Sequence, residues 1–79
     1  MRNRVELDTL TDVKEFCAAA AGVDGEVYLV DGKHKYKVSA KSIIGTMLAF
    51  TEWDSTWVES EVDCYQKLKR WIVEGVSMS

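Results

Sequence analysis

The sequence contains no proline, one histidine and two cysteines in 79 residues. It also has no proline-rich or serine-rich stretch of the kind that separates domains, so we expect a single domain over residues 1–79. Apolar residues make up 47% of the chain, which is enough for one modest core at this length. These absences argue for one domain without low-complexity segments.

An excess of positive charge is also missing, because 10 Lys and Arg face 13 Asp and Glu for a net charge of -3. Nucleic-acid binding needs basic residues gathered on one face, so we expect no nucleic-acid partner. The only basic concentration is residues 33–37, "KHKYK", with Lys41 beyond it. The first ten residues lack the apolar run of a signal peptide, and no stretch is long enough to span a membrane. We therefore expect a cytoplasmic protein with no membrane contact.

Residues for catalysis or metal binding are scarce. His34 stands beside a turn without a second histidine or an acidic pair at ligand spacing. Cys17 and Cys64 lie in segments with helical periodicity and lack metal-ligand spacing, so they are predicted to be reduced core thiols. No glycine-rich phosphate loop is present. The sequence thus predicts no enzyme activity, no metal and no cofactor.

The first half of the chain alternates between strand and helix patterns. Residues 3–8 alternate as a half-buried strand, with Val5 and Leu7 on one face. Residues 9–22 then show a helical stripe, with Thr9 or Thr11 as the cap and Gly22 at the end. Residues 26–30 and 35–39 are two β-rich runs that flank the turn signal Asp31-Gly32, which predicts a hairpin.

The second half predicts two more helices and one strand. Ile43 with Met47 and Ile44 with Leu48 are i, i+4 pairs, so a short helix should begin near Ser42. Residues 51–56 are expected to form a polar loop, and residues 57–62 a fourth strand. The sequence leaves two choices for the face of that strand that points to the core. The inward residues are either Val58, Ser60 and Val62 or the opposite set led by Trp57. A last helix with Cys64, Leu68, Trp71 and Ile72 on one stripe should end at Gly75.

The predicted order β-α-β-β-α-β-α indicates an α+β fold. Because a chain of this length cannot cover both faces of a sheet with helices, we expect a four-stranded antiparallel sheet with all helices on one face.

Two segments, "DVKEF" at residues 12–16 and above all "AKSIIG" at residues 40–45, are similar to HPr, the histidine-containing phosphocarrier family of the bacterial sugar phosphotransferase system. The resemblance covers residues 9–50 well and the remainder only by element order. It implies an open-faced β-sandwich with sheet order 1-4-2-3 and three helices on one side.

The resemblance places two family phosphorylation sites on this sequence. Thr9 stands at the position of the family's phosphorylated histidine, with Thr11 and Asp12 near the arginine and proline that follow it, so none of the three is retained. Ser42 matches the serine of the K-S-I-x-G motif, which a dedicated kinase/phosphorylase modifies in Gram-positive relatives. The modified family protein is a co-repressor for the catabolite control transcription factor. The chain resembles a variant that keeps the serine and lacks the histidine.

The resemblance therefore implies a regulatory or adaptor protein of the phosphotransferase system and carbon catabolite control, phosphorylatable at Ser42 and unable to transfer phosphate from histidine. The implied partners are a kinase of the HPr kinase/phosphorylase type and the transcription factor. The residues expected to bind a partner are Lys41, Ile43, Ile44 and Met47. Lys41 and Lys37 are also expected to hold the phosphate. The protein would be a monomer or a weak homodimer.

Three alternatives remain open at the level of the sequence. Ser42 can be a plain helix cap, with Ile43, Ile44 and Met47 as ordinary core. The protein can be a phosphocarrier that uses an atypical acceptor, namely Thr9, Thr11 or His34. It can also be a protein-binding module without phosphorylation, in which an open sheet face carries Lys35 and Lys37 with Tyr28 or Trp57.

Overall fold

The computed structural model describes residues 1–33 and 35–73, so His34 and the predicted helix end at Gly75 lie outside the described residues. Seven elements follow in the predicted order, which confirms the α+β class: β1 (Arg2–Val5), α1 (Leu10–Ala21), β2 (Val27–Asp31), β3 (Lys37–Ser39), α2 (Ile43–Glu52), β4 (Thr56–Ser60) and α3 (Tyr65–Leu68).

The four strands form one antiparallel sheet in the order β1-β4-β2-β3, as predicted. β2 and β3 are the expected hairpin, with Leu29 opposite Val38. Side chains from all three helices pack on one face of this sheet, where Phe16, Ala49 and Leu68 share a core with Leu29 and buried residues of β1 and β4. None of the helices in residues 1–33 and 35–73 lies on the opposite face of the sheet, which we call the helix-free face.

The inward face of β4 is the one that contains Val58. Val58 is fully buried, and Thr56 and Ser60 on the same face are also buried. Trp57 therefore lies on the helix-free face, opposite Val30 of β2. Val62, the third member of the predicted inward set, lies beyond the end of β4 and is 37% exposed.

Several predicted boundaries were wrong. β3 begins at Lys37 and not at residue 35, and β4 covers Thr56–Ser60 and not residues 57–62. α2 continues to Glu52, so the polar loop is limited to residues 53–55. β1 ends at Val5 and not at residue 8, and Glu6 N donates to Trp71 O (2.9 Å) at its outer edge. The last helix, α3, is a single turn of four residues. The chain after it runs along the outer edge of β1, where Val73 N donates to Arg4 O (2.9 Å). Cys64, Leu68, Trp71 and Ile72 are nonetheless all buried, as their spacing predicts.

The start of α1 is fixed by a capping box. Thr9, and not Thr11, is the N-cap: its hydroxyl accepts a hydrogen bond from Asp12 N (3.1 Å). The Asp12 carboxylate in turn accepts from Asp8 N (2.9 Å) and Thr9 N (3.2 Å). This arrangement satisfies backbone donors that would otherwise be unpaired at the beginning of the helix.

The capping box should make the stability of the fold depend on pH in the acid range. The hydrogen bond from Asp8 N is the main reason that the pKa of the Asp12 carboxyl lies below its usual value of 3.8. A carboxyl with a lowered pKa in the folded state stabilises that state above its unfolded pKa, and this contribution is lost as the pH falls through the folded pKa. We therefore expect acidification below 3.8 to lower the melting temperature of the wild type more than that of Asp12→Asn. Parallel pH profiles of the two proteins would contradict this assignment.

Candidate functional site

Ser42 begins α2 and lies at the surface. Its backbone is extended, and its hydroxyl accepts a hydrogen bond from Gly45 N (3.1 Å). Its carbonyl oxygen accepts from Thr46 N (2.9 Å), the first bond of the helix. Ser42 is thus the N-cap of α2, as one alternative had it, and its side chain is exposed. An exposed cap hydroxyl remains accessible to a modifying enzyme, so the two interpretations are compatible.

Gly45 lets the first turn of α2 lie directly on β3. A Cβ at this position would be 3.1 Å from Val38 Cβ and 3.3 Å from Ser39 O, which is closer than ordinary van der Waals contact. A side chain here would need the neighbouring atoms of Val38 and Ser39 to give way by a few tenths of an ångström. The glycine of the "AKSIIG" segment therefore has a packing reason in this chain, and it sets where Ser42 stands relative to the sheet.

An apolar patch, defined by Ile43, Ile44, Met47 and Leu48, follows Ser42 on the outer side of α2. Ile44 is 79% exposed, Leu48 46% and Ile43 44%, while Met47 is half-buried. The buried side of the helix is formed by Thr46 and Ala49 instead. The alternative that Ile43 and Ile44 are core residues is therefore wrong. Leu48 was missing from the predicted partner-binding set, although its i, i+4 spacing from Ile44 was the signal that could have included it.

The two lysines expected to hold a phosphate on Ser42 have other partners. Lys41 Nζ donates to Val23 O (2.9 Å). Lys37 Nζ lies 3.3 Å from Glu59 Oε1 and 4.3 Å from the centre of the Tyr28 ring. These contacts do not fit the expectation that Lys41 and Lys37 neutralise a charge at Ser42. Such a charge would face the helix N-terminus and solvent.

Both cysteines are free thiols, as predicted, but only Cys64 is a core residue, because Cys17 is half-buried and lies outside the core. Cys17 Sγ donates to Lys41 O (3.2 Å), and burial raises the pKa of this thiol, which makes it a poor nucleophile. Cys64 is buried with its Sγ 3.5 Å from Met1 Sδ. In residues 1–33 and 35–73 no group of three or more His, Cys, Asp or Glu could hold a metal ion.

The position of the family histidine is not near Ser42. Thr9 lies near the end of α2, because its neighbour Asp8 borders a shallow cleft together with Phe50 and Trp53. Ser42 lies at the start of α2, next to Lys41, whose carbonyl oxygen accepts a hydrogen bond from Cys17. A ten-residue helix is about 15 Å long, so the two predicted phosphorylation positions are separated by roughly that distance. Thr9 itself is exposed but its hydroxyl is used in the capping box.

No protein-family model matches the chain, and no match was found among curated proteins or among solved structures. Within the described ranges, no helix combines the length and the apolar character needed to cross a membrane.

Proposed function

We propose that this chain is a non-enzymatic regulatory or adaptor protein of the HPr-like type, which is phosphorylated on Ser42 and binds a protein partner through the apolar patch. The observation that carries the proposal is the exposed Ser42 hydroxyl at the start of α2, directly beside an apolar patch that the fold leaves uncovered. In this proposal the protein acts in the cytoplasm, within the phosphotransferase system and carbon catabolite control.

The chemistry of the step is a simple transfer. A kinase passes the terminal phosphoryl group of ATP to Ser42 Oγ, which loses its proton, and ADP leaves. The new group has a charge of about -1.5 to -2. The first N–H groups of α2 have no partner within the helix, and the helix dipole favours an anion there by about 0.3–1 kcal/mol at an exposed position. The phosphate oxygens can also accept the bond that Gly45 N now donates to the hydroxyl.

The apolar patch gives the modification its effect on partners. Exposed Ile43, Ile44 and Leu48 offer a contact surface, and Ser42 stands at its edge. A negative charge at the edge of an apolar contact changes which partner surfaces are complementary to it. Because Lys41 is held by Val23 O, the phosphate charge is available to the partner. By resemblance, the partner is the catabolite control transcription factor.

Transfer of phosphate from a high-energy donor is not part of the proposal. The residue at the family histidine position is Thr9, whose phosphate ester would not be a high-energy donor. The Asp12 carboxylate lies within the same capping box and would repel a phosphate. Both features argue against a phosphocarrier that uses Thr9.

The test is incubation with an HPr kinase and ATP, followed by mapping of the phosphate by mass spectrometry. We expect one phosphoryl group per chain at Ser42 and none on Ser42→Ala. Ser55→Ala is the control, since Ser55 is a serine of the loop between α2 and β4, and it should be labelled like the wild type.

Two outcomes would contradict the proposal. An unlabelled wild-type protein would argue against Ser42 as a kinase substrate. A phosphoryl group acquired from enzyme I and phosphoenolpyruvate, on Thr9, Thr11 or His34, would instead establish the atypical phosphocarrier.

A further inference from the structure

The outer side of α2 is an apolar strip without charges along its length. The helix contains no Asp, Glu, Lys or Arg before its last residue, Glu52. Ile44 and Leu48 lie one turn apart in the middle of the strip and are 79% and 46% exposed. Any electrostatic preference of the strip for a partner must therefore come from the two ends of the helix.

The two ends of α2 have opposite electrostatic character. At Ser42 the helix begins with amides that have no acceptor within the helix, which gives this end a partial positive charge. At the other end, Glu52 adds a full negative charge to the negative end of the helix dipole, where a carboxylate is unfavourable. Glu52 is exposed and forms no ion pair with any described residue. Its charge thus lacks a positive counterpart among the described residues.

A second copy of the chain supplies that counterpart. A two-fold axis level with residue 46 would place the α2 helices of two copies side by side and antiparallel. Ile44 of each copy would then face Leu48 of the other, which covers the middle of both strips. Glu52 of each copy would lie next to Ser42 of the other, where its charge meets the positive end of that helix. A parallel arrangement would instead bring the two Glu52 carboxylates together.

We propose that the apolar patch is the contact of a homodimer with antiparallel α2 helices, and that phosphorylation of Ser42 separates the two copies. The second part rests on the proposed function, whereas the dimer itself does not. A phosphoserine would place a charge of about -1.5 to -2 beside Glu52 of the second copy and replace attraction by repulsion. The separated chain then presents its apolar patch to the regulatory partner.

The small size of the patch makes this dimer weak and reversible. A stable interface buries about 800 Å² on each partner. The apolar patch consists of four side chains from a single helix of ten residues. Such a contact leaves little free energy after the cost of bringing two molecules together. A weak dimer is also one that a single added charge at its edge can dissociate.

The experiment is analytical ultracentrifugation over about 10 µM to 1 mM protein, a range that includes the dissociation constant of a weak dimer. We expect reversible dimerisation of the wild type and a dimer about tenfold weaker in Ile44→Asp. Ile44 is exposed, and an acidic residue suits the first turn of a helix, so this variant should fold. Protein synthesised with phosphoserine at position 42 should be monomeric.

Charge exchange tests the antiparallel arrangement. Ser42→Glu and Glu52→Lys should each weaken the dimer severalfold. Glu52→Lys does so although it reduces the net charge of -3 and removes an unfavourable charge from the end of its own helix. In the double variant each new carboxylate would face a new ammonium group of the other copy, so it should dimerise more tightly than either single variant. Glu61→Lys makes the same charge change at an exposed position after β4 and should leave the dimer unchanged.

Four results would overturn the inference. They are a wild type that stays monomeric over the whole range, equal weakening by Glu61→Lys and Glu52→Lys, a double variant no tighter than the single variants, and a phosphoserine protein that dimerises like the wild type. None of these measurements uses a kinase. Failure of a kinase to label Ser42 would therefore contradict the proposed function and leave the dimer unaffected.

Discussion

Replacement of Phe16 by alanine is expected to lower the free energy of unfolding by about 3–5 kcal/mol. Phe16 is fully buried in the centre of the core, and its ring meets that of Trp71 edge-on with the centroids 5.3 Å apart. The substitution removes this contact and leaves a cavity between α1 and the sheet. Small domains have a total stability of only about 0.05–0.15 kcal/mol per residue. The variant should therefore lose a large part of its stability.

Leu10→Ala is the matched control for Phe16→Ala. Leu10 is in the same helix but is 55% exposed, so its truncation should change the unfolding free energy by about 0.5 kcal/mol or less. Urea denaturation of the two variants and the wild type gives the comparison directly. Equal destabilisation by both substitutions would mean that α1 does not turn Phe16 toward the sheet.

Gly45→Val is expected to destabilise the protein by about 1–2 kcal/mol, although valine forms helices better than glycine. The gain in helix propensity is only about 0.4 kcal/mol. The new Cβ would stand 3.1 Å from Val38 Cβ and 3.3 Å from Ser39 O, and the two methyl groups need further room. Overpacking of this kind costs about 1–3 kcal/mol. The steric term therefore exceeds the propensity term.

The control for Gly45→Val is Ile44→Val, one residue earlier in the same helical turn. Ile44 is 79% exposed, so this substitution should leave the melting temperature almost unchanged. A Gly45→Val protein that melts at or above the temperature of the wild type would show that α2 does not lie against β3 at this distance.

Much of the fold could be predicted because local signals were strong. The capping residues Thr9 and Ser42 stand next to clear changes of hydrophobic period, and Asp31-Gly32 marks the hairpin. The inward face of β4 could not be predicted, since Trp57 and Val58 are both apolar and either phase gives an alternating pattern. The end of the last helix is set by bonds between Val73 and Arg4, which are distant in sequence.

The candidate site was predictable in position but not in its surroundings. Ser42 follows from the resemblance and from cap chemistry, which are both local. α2 has a single charged residue, Glu52, so its pattern does not reveal that Ile43 and Ile44 face outward. The bond from Lys41 to Val23 O joins residues that only the folded chain brings together.

The central claim is that the first turn of α2 accepts a phosphate while the fold stays unchanged. The most direct measurement is a comparison of backbone amide chemical shifts between the unmodified protein and a protein with phosphoserine placed at position 42 during synthesis. We expect large shift changes at the amides of residues 42–46 and small ones in the sheet. Shift changes throughout β1–β4, or loss of the dispersion of a folded protein, would contradict the claim.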